Sequence, residues 1–582
     1  MENMINLKIN GMDVTVPKNY TILEAAKSIG IEIPTLCYLK EINAIGACRI
    51  CVVEVKGART LVAACTYPVA EGMEVQTHTP KVHESRRLTL ELILSTHDKK
   101  CLSCVRSGNC ELQRLCLLFG VDKEDAFEGN NPRYDYDDSA MHMIRDNNKC
   151  ILCRRCVAVC ERQQAVGVIG PNDRGFNTHI GCAFDLNLDE VACVSCGQCI
   201  VVCPTGAITE KDETQKVWDA LADPTKHVIV QTAPSIRATI GEAFDMPIGT
   251  DATGKMVAAL RHLGFNGVYD TDFAADLTIV EEANELKERL SKGGPLPLIT
   301  SCSPGWVKYC EHYFPEFIPN LSSCKSPQQM FGAIAKTWYA KKNGIDPKSI
   351  FVVGVMPCTA KKFEVNREDE NAAGVPDCDV ALTTREISRM IKRAGLEFAD
   401  LPDENFDNPL GISTGAGVIF GATGGVMEAA LRTAVSWLSG EDMKEGLDFE
   451  AVRGFDGIKE ASYNVAGLEV KVAVASGLSN AKKLLDQIKS GEKQYHFVEI
   501  MGCPGGCING GGQPVQSAHV RNFVDLPALR AKVLYNQDTN HTMRLSHRNP
   551  MIEMLYEEYL EKPGSHKAHE ILHTSYKARQ RY

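Results

Sequence analysis

The chain has 582 residues and a net charge of −11 at neutral pH. That length predicts about four domains, the acidic balance speaks against a nucleic-acid footprint, and no apolar run reaches the roughly 18 residues of a membrane span. The start, Met1-Glu-Asn-Met-Ile-Asn6, lacks the basic and apolar regions of a signal peptide, so a cytoplasmic location is expected, where 24 cysteines read as metal ligands or redox groups rather than disulfides.

Residues 1–80 open with Ile5-Asn-Leu7-Lys-Ile9, alternating like a half-buried strand. Asn10-Gly11 signals a hairpin, Val14-Thr-Val16 a second strand, and Thr21 the cap of an amphipathic helix over 22–29 stopped by Gly30. Strand, turn, strand and helix are the opening of a β-grasp domain of ferredoxin type. It carries Cys37, Cys48, Cys51 and Cys65, with small Gly46 and Ala47 beside the Cys48-x2-Cys51 pair. Four thiolates suit a [2Fe–2S] centre, with zinc as the alternative.

Residues 81–125 read as a small helical domain, with Leu88, Leu90, Leu92, Ile93 and Leu94 on a broad apolar surface. It holds His97-x3-Cys101-x2-Cys104-x5-Cys110. Alone, this motif suits zinc equally well; beside other cluster motifs it points to a [4Fe–4S] centre with one imidazole ligand, which should raise the potential.

Residues 126–208 begin with an acidic, aromatic loop over 131–138 and then repeat one pattern. Cys150-x2-Cys153-x2-Cys156-x3-Cys160 recurs as Cys193-x2-Cys196-x2-Cys199-x3-Cys203-Pro204. This is the two-cluster ferredoxin spacing, in which Cys203 completes the first [4Fe–4S] centre and Cys160 the second. Cys116, Cys182, Cys310 and Cys378 fit no frame and read as ordinary buried cysteines.

Residues 209–582 read as a large α/β catalytic domain, making the whole chain a multidomain α/β and α+β protein. Strand-like runs at 227–230, 297–299, 350–355 and 497–500 alternate with helical stretches at 274–290 and 425–438. Three strands run into loaded turns: Thr300-Ser-Cys302-Ser303-Pro-Gly-Trp306, Met356-Pro-Cys358-Thr-Ala-Lys361-Lys362 and Met501-Gly-Cys503-Pro-Gly-Gly-Cys507. Sites gather at the carboxyl ends of strands in such sheets.

In these turns the sequence resembles the iron-only [FeFe]-hydrogenases, a resemblance that covers essentially the whole chain. It extends to Ala233-Pro234-Ser235, Phe273-Ala-Ala-Asp-Leu-Thr, Lys325-Ser-Pro-Gln328-Gln, Gly421-Ala-Thr-Gly-Gly-Val-Met-Glu and His569-Glu-Ile-Leu-His573. The resemblance implies an H-cluster, a [4Fe–4S] centre bridged by sulfur to a diiron unit carrying CO, cyanide and an azadithiolate. It assigns Cys358, Cys503 and Cys507 as cluster ligands, with Cys507 as the bridge. Lys361 would hydrogen-bond a cyanide, Met356 and Met501 would pack on the diiron unit, and Pro234, Ser235 and Gln328 would complete its pocket. The implied proton path runs from Cys302 through Glu282, Ser322 and Glu285 to Arg289. By spacing alone, Glu282 and Glu285 share one helix face, which would equally suit a solvated one.

The resemblance also implies electron exchange with ferredoxin, maturation proteins for the diiron unit, oxygen sensitivity and an anaerobic host. One position departs from the family: Ser303 stands where a fourth cluster thiolate is expected. Ligation by Ser303 oxygen, a slip that makes Cys302 the ligand, and substitution by another thiol such as Cys324 all remain open. Gly502, where alanine is common, is a second departure.

The leading expectation is a hydrogenase, 2H⁺ + 2e⁻ ⇌ H₂. The alternatives are a catalytic subunit of an NAD(P)-linked complex, an H₂ sensor and an iron–sulfur assembly protein. The runs Gly421 to Gly425 and Gly510 to Gly512 lack a nucleotide-binding G-x-G-x-x-G context, and neither a sensor's output domain nor the function of the respiratory NADH dehydrogenase subunit that the N-terminal half resembles is evident.

Overall fold

The computed structural model describes residues 4–123, 125–127, 129, 131–465 and 467–581. The N-terminal region forms a five-stranded sheet in the order Met12–Pro17, Met4–Ile9, Glu74–Gln76, Val52–Val55, Val62–Ala63. Its hairpin turns at Asn10 (φ 52°) and Gly11 (φ 85°), the left-handed pair that matches the twist of the flanking strands. Thr21 and Glu24 form a reciprocal capping box at the start of the helix Ile22–Ser28.

The helix Pro80–Leu94 departs from the sequence expectation. Leu90 is fully buried and Ile93 and Leu94 are half-buried, but Leu88 and Leu92 are exposed. Leucines two residues apart on a helix point to different sides, and the core of Leu36, Ile50, Leu112 and Leu115 covers one side only. Cys182, Cys310 and Cys378 are buried as expected, whereas Cys116 is half-buried.

Two four-stranded sheets build the large region. The first is parallel throughout, in the order Gly267–Asp270, His227–Thr232, Ile350–Met356, Val380–Thr383. The second runs Leu298–Ile299, Phe497–Met501, Leu468–Ser476, Ile458–Val465, with only the last strand antiparallel to its neighbour. The inner strands are buried along nearly their whole length because helices cover both faces, as parallel sheets require. The three loaded turns leave the carboxyl ends of Leu298–Ile299, Ile350–Met356 and Phe497–Met501.

The cysteine-rich repeat packs directly against two of these turns. Thr359 Oγ1 donates to Ser195 O at 2.7 Å, and Gln198 Nε2 donates to Asn509 O at 3.0 Å. At the centre of the contact a Cβ on Gly511 would sit 2.2 Å from Cys196 O, so only glycine lets the backbones meet. Gly511→Ala should push the two loops apart, lower stability by about 1–3 kcal/mol in denaturant unfolding, and slow reduction of the catalytic region in stopped-flow experiments.

Candidate active site

The three turns surround one cavity, whose wall includes Cys302, Ser303, Cys358, Cys503 and Cys507. Met356 and Met501, the last residues of their strands and each 2% exposed, line it together with Pro234, Gln328 and Phe420. Ser235 stands behind the wall, taking a hydrogen bond from Gln513 Nε2. A Cβ on Gly506 (φ 97°) would lie 2.6 Å from Thr423 N, so the turn carrying Cys503 and Cys507 closes only with glycine there.

Ser303 caps the helix Pro304–Tyr313, and its Oγ accepts the Gly502 N–H at 3.2 Å. The two departures from the family pattern thus touch each other: a Cβ on Gly502 would come within 3.1 Å of that same oxygen. Cys324, the other suggested fourth ligand, is not on the cavity wall; its sulfur lies 4.0 Å from Glu285 Oε2.

The four thiols line an internal cavity. Burial pushes Cys507 up to about 12 and raises Cys358, Cys503 and, strongly, Cys302 above the usual thiol value. Lys361 Nζ donates to Ser326 Oγ and Glu364 Oε2, each at 2.7 Å, and to Cys302 O at 3.4 Å. Burial works against its ammonium, but the Glu364 carboxylate more than offsets this and raises its pKa. Sequence reasoning missed Glu364, although the Lys361-x-x-Glu364 spacing on one short helix was a signal for it.

Beyond Cys302 the structure brings together the expected proton carriers. Glu282 is buried on the helix Asp272–Lys292, and neither carboxyl oxygen has a hydrogen-bond partner among the described residues. Burial raises it to about 8, with the neighbouring Ser322 hydroxyl acting in the opposite direction. Ser322 Oγ donates to Glu285 Oε2 at 3.1 Å, and Arg289 donates to Glu285 Oε1 at 2.6 Å. Glu285 and Arg289 side chains retain 16% and 12% exposure, so the row leads from the cavity to the surface.

The ligand set of the N-terminal region and the two sets of the repeat gather as well. Cys51 and Cys65 sulfurs are 3.3 Å apart, with Cys37 and Cys48 hydrogen-bonded beside them. Cys150, Cys153, Cys156 and Cys203 line one cavity, and Cys160 neighbours Cys193 and Cys199, the exchange that the repeat predicts. Cys196 in turn neighbours Cys503. Cys104 lies against Gly206 and Cys110 against Pro204 O, while Arg106 donates to Cys203 O at 2.9 Å; this docks the segment of His97, Cys101, Cys104 and Cys110 onto the repeat. No two cysteines form a disulfide among the described residues.

Residues 226–511 match the iron only hydrogenase large subunit, C-terminal domain, and residues 525–579 the iron hydrogenase small subunit. Residues 2–80 match a 2Fe-2S iron-sulfur cluster binding domain, 86–125 the NADH-ubiquinone oxidoreductase-G iron-sulfur binding region and 149–207 a 4Fe-4S dicluster domain. The chain is 49% identical to the NADP-reducing hydrogenase subunit HndD of Solidesulfovibrio fructosivorans, over 100% of both chains. It is 43% identical to iron hydrogenase 1 of Clostridium pasteurianum, covering 99% of this chain and 100% of that one.

The chain belongs to the iron-only hydrogenase family.

A solved variant of the [FeFe]-hydrogenase HydA1 from Chlamydomonas reinhardtii superposes with a TM-score of 0.56 at 41% identity, covering 63% of this chain and 99% of that one. The protein is therefore an oxidoreductase of mixed α/β architecture, with iron–sulfur domains ahead of a hydrogenase fold.

The hydrogenase residues fit such groups chemically. Burial keeps the cavity thiols protonated until a metal takes the proton's place. His97 Nδ1 is buried with no hydrogen-bond partner among the described residues, as suits a nitrogen reserved for a metal. No helix among the described residues is long and apolar enough to cross a membrane.

Glu282 makes a measurable signature. Its folded pKa of about 8 lies above the ordinary 4.5, so between those values the unfolded chain has lost a proton that the native chain keeps. Stability should therefore fall as pH rises through that window and level off above it. Glu282→Gln should remove this contribution, on the order of a few kcal/mol, in denaturant titrations of both proteins at pH 5 and pH 8.

Proposed function

We propose that this hydrogenase catalyses reversible proton reduction, 2H⁺ + 2e⁻ ⇌ H₂, in the cytoplasm and exchanges electrons with ferredoxin. The observation that carries this reading is the convergence of two conduits on one cavity. Cys196 and Gln198 of the dicluster repeat adjoin Cys503 and Asn509 on one approach. Cys302 and the row of Glu282, Ser322, Glu285 and Arg289 form the other.

In this reading Cys37, Cys48, Cys51 and Cys65 hold a [2Fe–2S] centre, and His97, Cys101, Cys104 and Cys110 hold a [4Fe–4S] centre. The two halves of the repeat hold two more. Cys358, Cys503 and Cys507 would hold the active-site iron–sulfur cluster, whose diiron part maturation proteins would install. When bound, the H-cluster supplies the redox chemistry of hydrogen. The chain's own residues do the rest. Lys361 presents a compact ammonium to a small anionic ligand, Met356, Met501 and Phe420 keep water out, and Cys302 moves protons to and from Glu282. The unpartnered carboxyl of Glu282, poised near neutrality, can take a proton from either neighbour. Ser322 and Glu285 pass it toward the surface, where Arg289 holds the Glu285 carboxylate.

Ser303 is the fourth ligand of the cubane in this proposal, its oxygen oriented by the Gly502 N–H. A hard oxygen donor favours oxidised iron over reduced iron. Ser303→Cys should therefore raise the potential of the active-site cluster in an EPR-monitored titration; an unchanged potential would remove the oxygen from the coordination.

A second reading, a catalytic subunit within an NADP-linked complex, is favoured by the 49% identity to HndD along the full length. H₂ evolution by anaerobically purified, cofactor-loaded protein separates the two. Turnover with reduced ferredoxin alone supports the first; turnover only with NADPH and co-purifying subunits supports the second. Cys302→Ala should lower the rate by at least about 100-fold, the scale of a lost proton-transfer group, while the accessory cluster EPR signals stay unchanged.

A further inference from the structure

Beside the row from Glu282 to Arg289 stands a group of donors that the proposed relay does not explain. Glu285, Cys324 and His573 each place one ligand atom within 4.8 Å of the other two. They come from the helix Asp272–Lys292, the segment after Leu321 and the end of the helix His566–Leu572, the last two joined by an isolated backbone bridge between Cys324 and His573. The His573 ring is already oriented. Its Nε2 faces Glu281 Oε2 at 3.3 Å, and its Nδ1 faces Ser323 Oγ at 2.8 Å. Glu281 is itself fixed by the Tyr556 hydroxyl and the Gly564 N–H. A carboxylate behind an imidazole is the arrangement that sets ring orientation and tautomer at metal sites. With Nε2 engaged there, Nδ1 is the nitrogen left for a ligand on the side of Ser323, whose hydroxyl also bonds Glu285 Oε2 at 3.3 Å.

We propose that Glu285, Cys324 and His573 bind a thiophilic divalent cation, with zinc the best fit to one sulfur, one imidazole and one carboxylate. Binding replaces the Cys324 thiol proton: Zn²⁺ and the thiol give a zinc thiolate and one released H⁺, with water in the fourth position. Glu285, whose side chain keeps 16% exposure, gives the ion its approach from the surface end of the row. The functional consequence rests on the relay proposed above. Zinc takes up Glu285 Oε2, the atom that otherwise accepts from Ser322, and so closes the proton route without touching the cavity of Cys302.

Zinc K-edge X-ray absorption on the anaerobically purified, cofactor-loaded full chain, given one equivalent of zinc sulfate, reads the ligands directly. One sulfur at about 2.3 Å with nitrogen and oxygen at about 2.0–2.1 Å is expected, the sulfur disappearing in Cys324→Ala. Cys324→Ala and His573→Gln should each weaken zinc binding by at least about 100-fold, the upper end of what losing even a supporting hydrogen bond costs such a site. Both variants should evolve H₂ at the parent rate without zinc and keep that rate at zinc concentrations that inhibit the parent, with magnesium inert throughout. Zinc bound without sulfur, or bound equally by the parent and both variants, overturns the site. Zinc bound through sulfur with undiminished turnover upholds the site and instead overturns proton passage through Glu285.

Discussion

Lys361 carries its ammonium at the carboxyl end of a buried parallel strand, and much of the cavity is arranged around compensating it. Glu364 Oε2 accepts from Lys361, Ser326 and Gln328, tying the second turn to the segment beginning at Lys325. Either partner left alone in such surroundings would cost about 3–5 kcal/mol, so the pair must be kept or lost together. With its charge fixed there, the remaining wall can be apolar: two methionines, Phe420 and prolines. Water is excluded without leaving a charge unpaired.

The same scarcity of water shapes Glu282. Burial disfavours an ionised carboxylate in that position more than the nearby Ser322 hydroxyl favours it, and the side chain stays neutral where an exposed glutamate would not. Glu285, three residues further along the helix, has five donors around its two oxygens, counting Cys324 Sγ at 4.0 Å. One helix thus presents two carboxyl groups in contrasting surroundings, one sealed by the core and the other met by Arg289 and two serines.

Much of this was legible in the residues themselves. Cysteine spacing fixes which sulfurs can share a centre because two residues between cysteines leave little slack in the backbone, and Cys203 does join Cys150, Cys153 and Cys156. The strand before the second turn stood out as an apolar run, since both its faces are covered. What the residues hid depends on long-range approach. Leu88 and Leu92 look like core on composition, but both stay exposed because no element among the described residues covers them. Cys324 sits next to a serine of the row and seemed available to the cavity, yet its side chain turns toward Glu285. The contact of Gly502 with Ser303 joins residues 199 positions apart, beyond any local pattern.

The donors around the cavity hang from two separate sheets. Cys358 follows a strand of the first, while Ser303, Cys503 and Cys507 follow strands of the second. A centre gripping all four donors would act as a staple across the seam, so its binding free energy would also be cohesive free energy between the sheets. Occupancy and rigidity of the large region then become one linked quantity, and the stability of this enzyme has no value independent of how fully its centre is assembled.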